Sequence, residues 1–269
     1  MTTSRIAERF ARLRLEKRPG LVTYTTAGDP DLTRSAGILE ALERGGADVL
    51  EVGVPFSDPL ADGPVIQRAT ERALAAGGNL AAALRMIEDV RPRVTAPIVV
   101  FSYANPIVKM GIDVFARRAA AAGVDGVLAL DLPIEEAGEF RETLAASGLD
   151  TIFLLSPTTT DARIGRAAAL GRGFLYGISR LGVTGARTTV AEGVDGLVRR
   201  IRAQTDLPIA IGFGISRPEH VAEVTQYADA AVVGSSLVSL IADAAAGADL
   251  FQRVEDYVRW LKGAAVAAR

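Results

Sequence analysis

The segment Asp48-Val49-Leu50-Glu51-Val52-Gly53-Val54-Pro55-Phe56-Ser57-Asp58-Pro59-Leu60-Ala61-Asp62-Gly63-Pro64 decides how the chain is organised. It opens as an apolar, β-rich strand and closes on a carboxylate. A loop stiffened by Pro55, Pro59 and Pro64 follows. Two stretches with helical spacing, 65–76 and Leu80–Val90, come next, before another strand-like run at 98–102. A strand followed by helix and then strand is the unit of a parallel sheet, and here that unit is overlong.

Working outward, the same unit recurs. Strand-like runs fall at 21–26, 48–52, 98–102, 127–130, 151–155, 174–178, 209–212 and 230–233. Most are apolar throughout, the pattern of strands covered on both faces. Helical patterns separate them, among them 112–122, 162–170 and 194–204. Asp31 and Asp161 stand where helix caps are expected. Eight such units in 269 residues predict a closed (β/α)8 TIM barrel. An open doubly wound sheet would favour a dinucleotide-type glycine turn after the first strand, and Thr26-Ala27-Gly28-Asp29-Pro30 is not one. Residues 1–15 read as an extra amphipathic helix covering the bottom of the barrel. No linker divides the chain, so residues 1–269 are expected to form one domain.

Composition narrows the chemistry. A net charge of −2 and a pI of about 5.6 give no basic field for nucleic acid or acidic membranes. No apolar run is long enough to span a bilayer, and the N-terminus lacks a signal-peptide core, so a cytoplasmic protein is expected. With 0 Cys there is no thiolate or Cys-ligated metal. A single histidine, His220, excludes a multi-His zinc site. It follows Pro218 at the start of a helix, where a solvated position is expected. Proton transfer falls to carboxylates, tyrosines or one of three lysines, Lys17, Lys109 and Lys262.

Glu51 ends the second strand, and side-chain alternation can aim it into the barrel mouth. Walled by apolar side chains, it would be desolvated and able to exchange protons near neutral pH. The alternative is a Glu turned outward to pair with an arginine. The apolar strand and the unusual loop favour the first reading. Asp58, before Pro59, reads as a turn former. Asp62, before Gly63, divides evenly between turn and function on spacing alone. Phe56 and Leu60 are expected at the mouth, lining a pocket or meeting a partner.

The last third carries Gly212-Phe213-Gly214-Ile215-Ser216 after strand seven and Gly234-Ser235-Ser236 after strand eight. In a barrel these loops are neighbours whose N–H groups can converge on a phosphate. A third glycine-rich loop, residues 179–187, follows strand six and contains Arg180, Thr184 and Gly185. Tyr24, Tyr103 and Tyr176 lie at strand ends, where they could wall a flat aromatic ligand, and Phe101 is expected to be core. Asn105 and Asp131 read as a turn and a helix cap.

Taken together these motifs resemble the tryptophan synthase α-subunit family. Residues 51–64 look like its signature. Tyr103-Ala104-Asn105-Pro106, Gly182-Val183-Thr184-Gly185, Gly212–Ile215 and Gly234-Ser235 follow in the family's order. The similarity covers essentially the whole chain. It implies a lyase that splits indole-3-glycerol phosphate into indole and glyceraldehyde 3-phosphate. Glu51 would be its principal acid–base catalyst and Asp62 its second carboxylate. The resemblance also implies Tyr176 beside the substrate and Arg180 and Thr184 in a mobile loop. Gly185, Gly214, Gly234 and Ser235 would bind phosphate. Tyr24 stands where some members have Phe. No metal or cofactor is implied for this chain. The family pairs with a pyridoxal-phosphate-dependent β subunit as α2β2, with the Phe56, Leu60 and Asn105 loops as plausible contacts. Two rivals remain. A Schiff-base aldolase would need a lysine in the mouth, and a non-catalytic regulatory subunit would not need the carboxylates.

Overall fold

The computed structural model describes residues 4–178, 194–212 and 214–267. Among these residues are nine parallel strands, all but β5 and β6 separated by helices: β1 (Gly20–Thr26), β2 (Val49–Gly53), β3 (Ile98–Ser102), β4 (Gly126–Ala129), β5 (Asp150–Thr151), β6 (Phe153–Leu155), β7 (Leu175–Ile178), β8 (Ile209–Gly212) and β9 (Ala230–Val233). Their order is β5-β4-β3-β2-β1-β9-β8-β7-β6. Its two ends, β5 and β6, flank Ile152 in one extended segment, so the sheet closes on itself. The single strand expected at 151–155 is thus broken at Ile152. Its first part pairs with β4 and its second with β7, as the stagger of a closed barrel requires. The expected TIM barrel is the architecture found.

Alternation sorts the strand residues. Val22, Val49, Val99, Leu128, Ile152 and Phe174 belong to the inner core, whereas Leu21, Leu50, Ile98 and Val100 pack under the surrounding helices. The helix Arg5–Leu15 starts at Ser4, whose hydroxyl accepts the Ala7 N–H at 3.1 Å. Its Ile6, Phe10 and Leu13, one and two turns apart, join the inner core, with Phe10 against Phe174 at 5.7 Å. It closes the N-terminal end of the barrel, as its amphipathic pattern suggested.

That end also carries a ring of aspartates. Asp48, Asp125 and Asp229 each precede a strand and accept the N–H of a residue on the neighbouring strand: Leu21 at 3.0 Å, Ile98 at 2.8 Å and Ile209 at 2.8 Å. Cations surround them. Arg18 (3.0 Å), Lys262 (3.1 Å) and Arg9 (3.7 Å) meet Asp48. Arg5 and Arg91 meet Asp125 at 3.0 and 3.4 Å, and Arg202 meets Asp229. Asp150 takes the Ser4 hydroxyl at 2.5 Å and Arg172 at 3.6 Å.

Beyond the C-terminal end of β2 the second unit holds two helices, Pro64–Ala75 and Leu80–Val90. Leu80–Val90 is capped by Asn79 and buries seven residues, from Leu80 to Val90, whereas Pro64–Ala75 buries only Ala69, Thr70 and Ala73. Asp31 caps its helix as expected, accepting the Arg34 N–H at 2.8 Å. Asp161 does not. Thr160 is the cap and Asp161 the first helical residue, because the Thr160 hydroxyl already takes the Arg163 N–H. His220 is also corrected. It is buried, since the helix Pro218–Val224 packs on the C-terminal helix Leu250–Ala267, and its Nδ1 accepts the Ser216 N–H at 3.3 Å.

Candidate active site

Glu51 faces inward from β2, beside Tyr24 of β1 and Val99 of β3. It is 1% exposed, and among the described residues its Oε1 meets no hydrogen-bond partner. A carboxylate without donors is poorly stabilised away from water, and burial alone pushes Glu51 up to about 8. The outward, arginine-paired alternative is therefore not what the fold builds.

Tyr24 is buried and meets Phe101 edge-on at 5.4 Å. Its ring lies across β2. A Cβ at Gly53 would come within 2.1 Å of the Tyr24 hydroxyl oxygen, so glycine there makes the slot the phenol fills. Tyr176 uses Gly212 in the same way, at 2.2 Å. Both phenols are raised, first by burial. The negative charge of Asp62 acts next on Tyr24, offset in part by the Thr26 hydroxyl, and then that of Glu51, which also raises Tyr176. Two tyrosines and two carboxylates thus lie close enough for their charges to act on one another. Phe101, expected as core, is half-buried and packs against the inner core as well as on Tyr24.

Asp62 is half-buried in the loop after β2. Burial pushes it up to about 6 against the pull of the Tyr103 hydroxyl. That hydroxyl accepts the Ala61 N–H at 3.0 Å, and the Tyr103 ring packs on Phe56 at 5.2 Å. The side-chain amide of Gln67 donates to the Asp62 carbonyl at 2.9 Å. Sequence reading missed Gln67. Its position one turn into the helix that follows the loop was the available signal. Asp58 is exposed and bonded to the Ser57 hydroxyl, a turn residue as expected. Asp131 does cap a helix, but the one starting at Ala104, whose N–H it accepts at 2.6 Å. Asn105 is exposed within that helix, Ala104–Met110, rather than in a turn.

Across the mouth, Gly214 follows β8 with φ +77°, and Gly234 precedes the helix Ser235–Ala244 with no side-chain cap. The Ser236 hydroxyl donates to the Ile215 carbonyl at 3.1 Å and ties the two loops together. This leaves main-chain N–H groups and a helix N-terminus, at Gly234 and Ser235, available to an anion. Arg180, Thr184 and Gly185 lie outside the described residues. No lysine enters the mouth: Lys17 and Lys109 are exposed, and Lys262 is bound to Asp48 at the far end. Among the described residues no cluster of His, Cys, Asp and Glu could hold a metal ion.

A profile of the family described as "Tryptophan synthase alpha chain" matches residues 10–265. The chain belongs to the tryptophan synthase α-chain family. The tryptophan synthase α chain of Solibacter usitatus is 48% identical over 96% of this chain and 97% of its own length. That of Geobacter sulfurreducens is 49% identical over 97% and 98%. Among solved structures, the α subunit from Legionella pneumophila matches with a TM-score of 0.89 at 36% identity, over 99% of this chain and all of that one. Mycobacterium tuberculosis tryptophan synthase matches at 0.90 and 36%, over 98% and 99%. A tryptophan synthase α chain whose mouth holds two desolvated acids and no lysine has no group for an imine mechanism.

Proposed function

We propose that this chain is the α subunit of a tryptophan synthase and cleaves indole-3-glycerol phosphate into indole and glyceraldehyde 3-phosphate, with Glu51 and Asp62 as its catalytic pair. The observation that carries the reading is the Glu51 carboxyl, buried, without a hydrogen-bond partner for Oε1 among the described residues and poised near neutrality. A carboxyl with such a pKa gives and takes protons at comparable free energy. It delivers a proton to indole C3, producing a cationic iminium in the ring. It then accepts the proton of the side-chain hydroxyl on the carbon bonded to C3. As that hydroxyl becomes an aldehyde, the bond to C3 breaks and its electron pair returns to the ring. The proton gained and the proton lost balance.

Asp62 stands beside the ring N–H in this reading. As a carboxylate above about pH 6 it stabilises the positive nitrogen of the intermediate. Tyr24, Tyr103 and Tyr176 wall the indole. Gly214, Gly234 and Ser235, with Gly185, hold the phosphate, whose distance from the reacting bond turns binding energy into orientation. Thr184 and Arg180 would close the loop after β7 over the site. None of these roles requires a cofactor in this chain.

Residues 1–269 would act as one domain in the cytoplasm, and no helix among the described residues is long and apolar enough to cross a membrane. The partner in this reading is a β subunit carrying pyridoxal phosphate, in an α2β2 assembly that consumes the indole. Leu60, 89% exposed on the mouth loop beside Pro59, supports such a docking face. The test is indole release from indole-3-glycerol phosphate by the purified chain, with and without β subunit. Wild type should release indole and Glu51→Gln should not. Near-normal turnover by Glu51→Gln would overturn the assignment.

A further inference from the structure

Asp62 ends the loop after β2, and the helix Pro64–Ala75 begins two residues later. Wherever that helix sits, Asp62 follows. Yet its hold on the barrel is weak by apolar measure. It buries only Ala69, Thr70 and Ala73, with Val65 and Ile66 partly covered against Tyr24 and Val238. Alanine methyls contribute little burial energy and no directional preference. Gly63 provides no side-chain cap, so the helix start is not anchored that way either.

The specific fixation lies at the other end of the helix. Arg72 makes two parallel hydrogen bonds to the Asp29 carboxylate, at 2.8 and 2.9 Å. Asp29 is 3% exposed, and among the described residues its carboxylate has no other partner. It is itself locked into the loop after β1: its N–H donates to the Thr26 carbonyl, and its carbonyl accepts the Ser35 hydroxyl at 3.1 Å. That hydroxyl also takes the Gly28 N–H. Gly28 in turn lets Ala73 approach, since a Cβ at Gly28 would sit 3.3 Å from the Ala73 Cβ. A planar guanidinium paired with a buried carboxylate fixes direction as well as distance, which a lysine cannot do.

We propose that Asp29 and Arg72 are positioning residues that set where Asp62 stands over the site, by fastening its helix to the loop after β1. This deepens the role given above to Asp62 and rests on it. The pair touches no reacting atom. Its effect reaches Asp62 through the helix and through Gln67, which grips the Asp62 carbonyl.

The experiment compares wild type, Asp62→Asn, Arg72→Gln, Arg72→Lys and the double variant Asp29→Asn/Arg72→Gln. Each is assayed for cleavage of indole-3-glycerol phosphate and for binding of glyceraldehyde 3-phosphate, which lacks the ring. Arg91→Gln, at the N-terminal end of the barrel, controls for destabilisation. Arg72→Gln should lower kcat on the order of 100-fold, the scale of an ångström's misplacement. It should flatten the acid limb due to Asp62 and leave glyceraldehyde 3-phosphate binding unchanged. Arg72→Lys should fall between it and wild type. The double variant removes the stranded charge and so should fold even where Arg72→Gln does not, while showing the same kinetic loss. Arg91→Gln should lose stability and keep its kinetics. If Asp62→Asn turns over normally, the role of Asp62 fails. If Asp62→Asn collapses while the double variant keeps wild-type kcat and pH profile, the positioning proposal alone fails. It also fails if Arg91→Gln matches the kinetic loss.

Discussion

The two ends of this barrel treat the same functional group in opposite ways. At the N-terminal end Asp48 receives a main-chain N–H and faces three cations, and Asp125 is held in the same manner. At the C-terminal end Glu51 is buried as deeply as Asp48, with no partner for Oε1 among the described residues. A buried carboxylate with donors and cations is structural: the pairing offsets desolvation and ties strands to helices. A buried carboxylate without them does no structural service, and its raised pKa is what proton transfer near neutrality needs. Asp150 stands between the two classes. It has Ser4 and Arg172, yet burial still holds it above the ordinary range.

The largest expected effect breaks the mouth. Glu51→Gln should reduce indole release by about 10²–10⁴-fold, the usual share of general acid–base catalysis, in a steady-state assay. The same variant should be more stable than wild type at neutral pH. The folded state holds Glu51 at about 8 against an ordinary 4.5, so it binds the proton more tightly than the unfolded chain. Stability is therefore lost as pH rises from about 4.5 to about 8 and is level beyond, and Glu51→Gln removes that slope. Urea denaturation of both proteins across this window measures it.

Breaking the other end should do the reverse. Asp48→Ala strands Arg9, Arg18 and Lys262 and frees the Leu21 N–H, a loss of about 3–5 kcal/mol in unfolding free energy. The kcat of the folded fraction should not change. A collapse of kcat at constant stability would erase the distinction between the two ends. Asp62 sharpens it: kcat/KM should fall as pH drops through about 6, because the carboxylate must be ionised to face the ring nitrogen. Asp62→Asn should lack that limb. The smallest effect belongs to Tyr103→Phe, which removes the acceptor of the Ala61 N–H. About 1 kcal/mol of stability should be lost, with a few-fold fall in turnover.

Much of this was legible in the residues. Apolar runs separated by helical patterns gave the barrel and the strand carrying Glu51, because period and length are local properties. The proline-rich loop placed Asp62 near the mouth. What stayed illegible was long-range. Asp29 and Arg72 are 43 residues apart and neither sits in a motif. The burial of His220 comes from the C-terminal helix, not from its own neighbours in sequence. The strand broken at Ile152 reflects ring closure, which no single segment encodes.

By itself, then, the chain's order of residues determined the repeating unit, which residues of each strand share a face, the lack of thiols, and the presence of acids where strand two ends. Folding in three dimensions decided which acids meet donors and which do not. It seated Tyr24 over Gly53 and Tyr176 over Gly212, and it fastened the helix after Asp62 to the loop after β1. The reason is physical. Periodicity is written within a few residues, whereas desolvation and charge pairing depend on what distant segments bring to the same enclosed space.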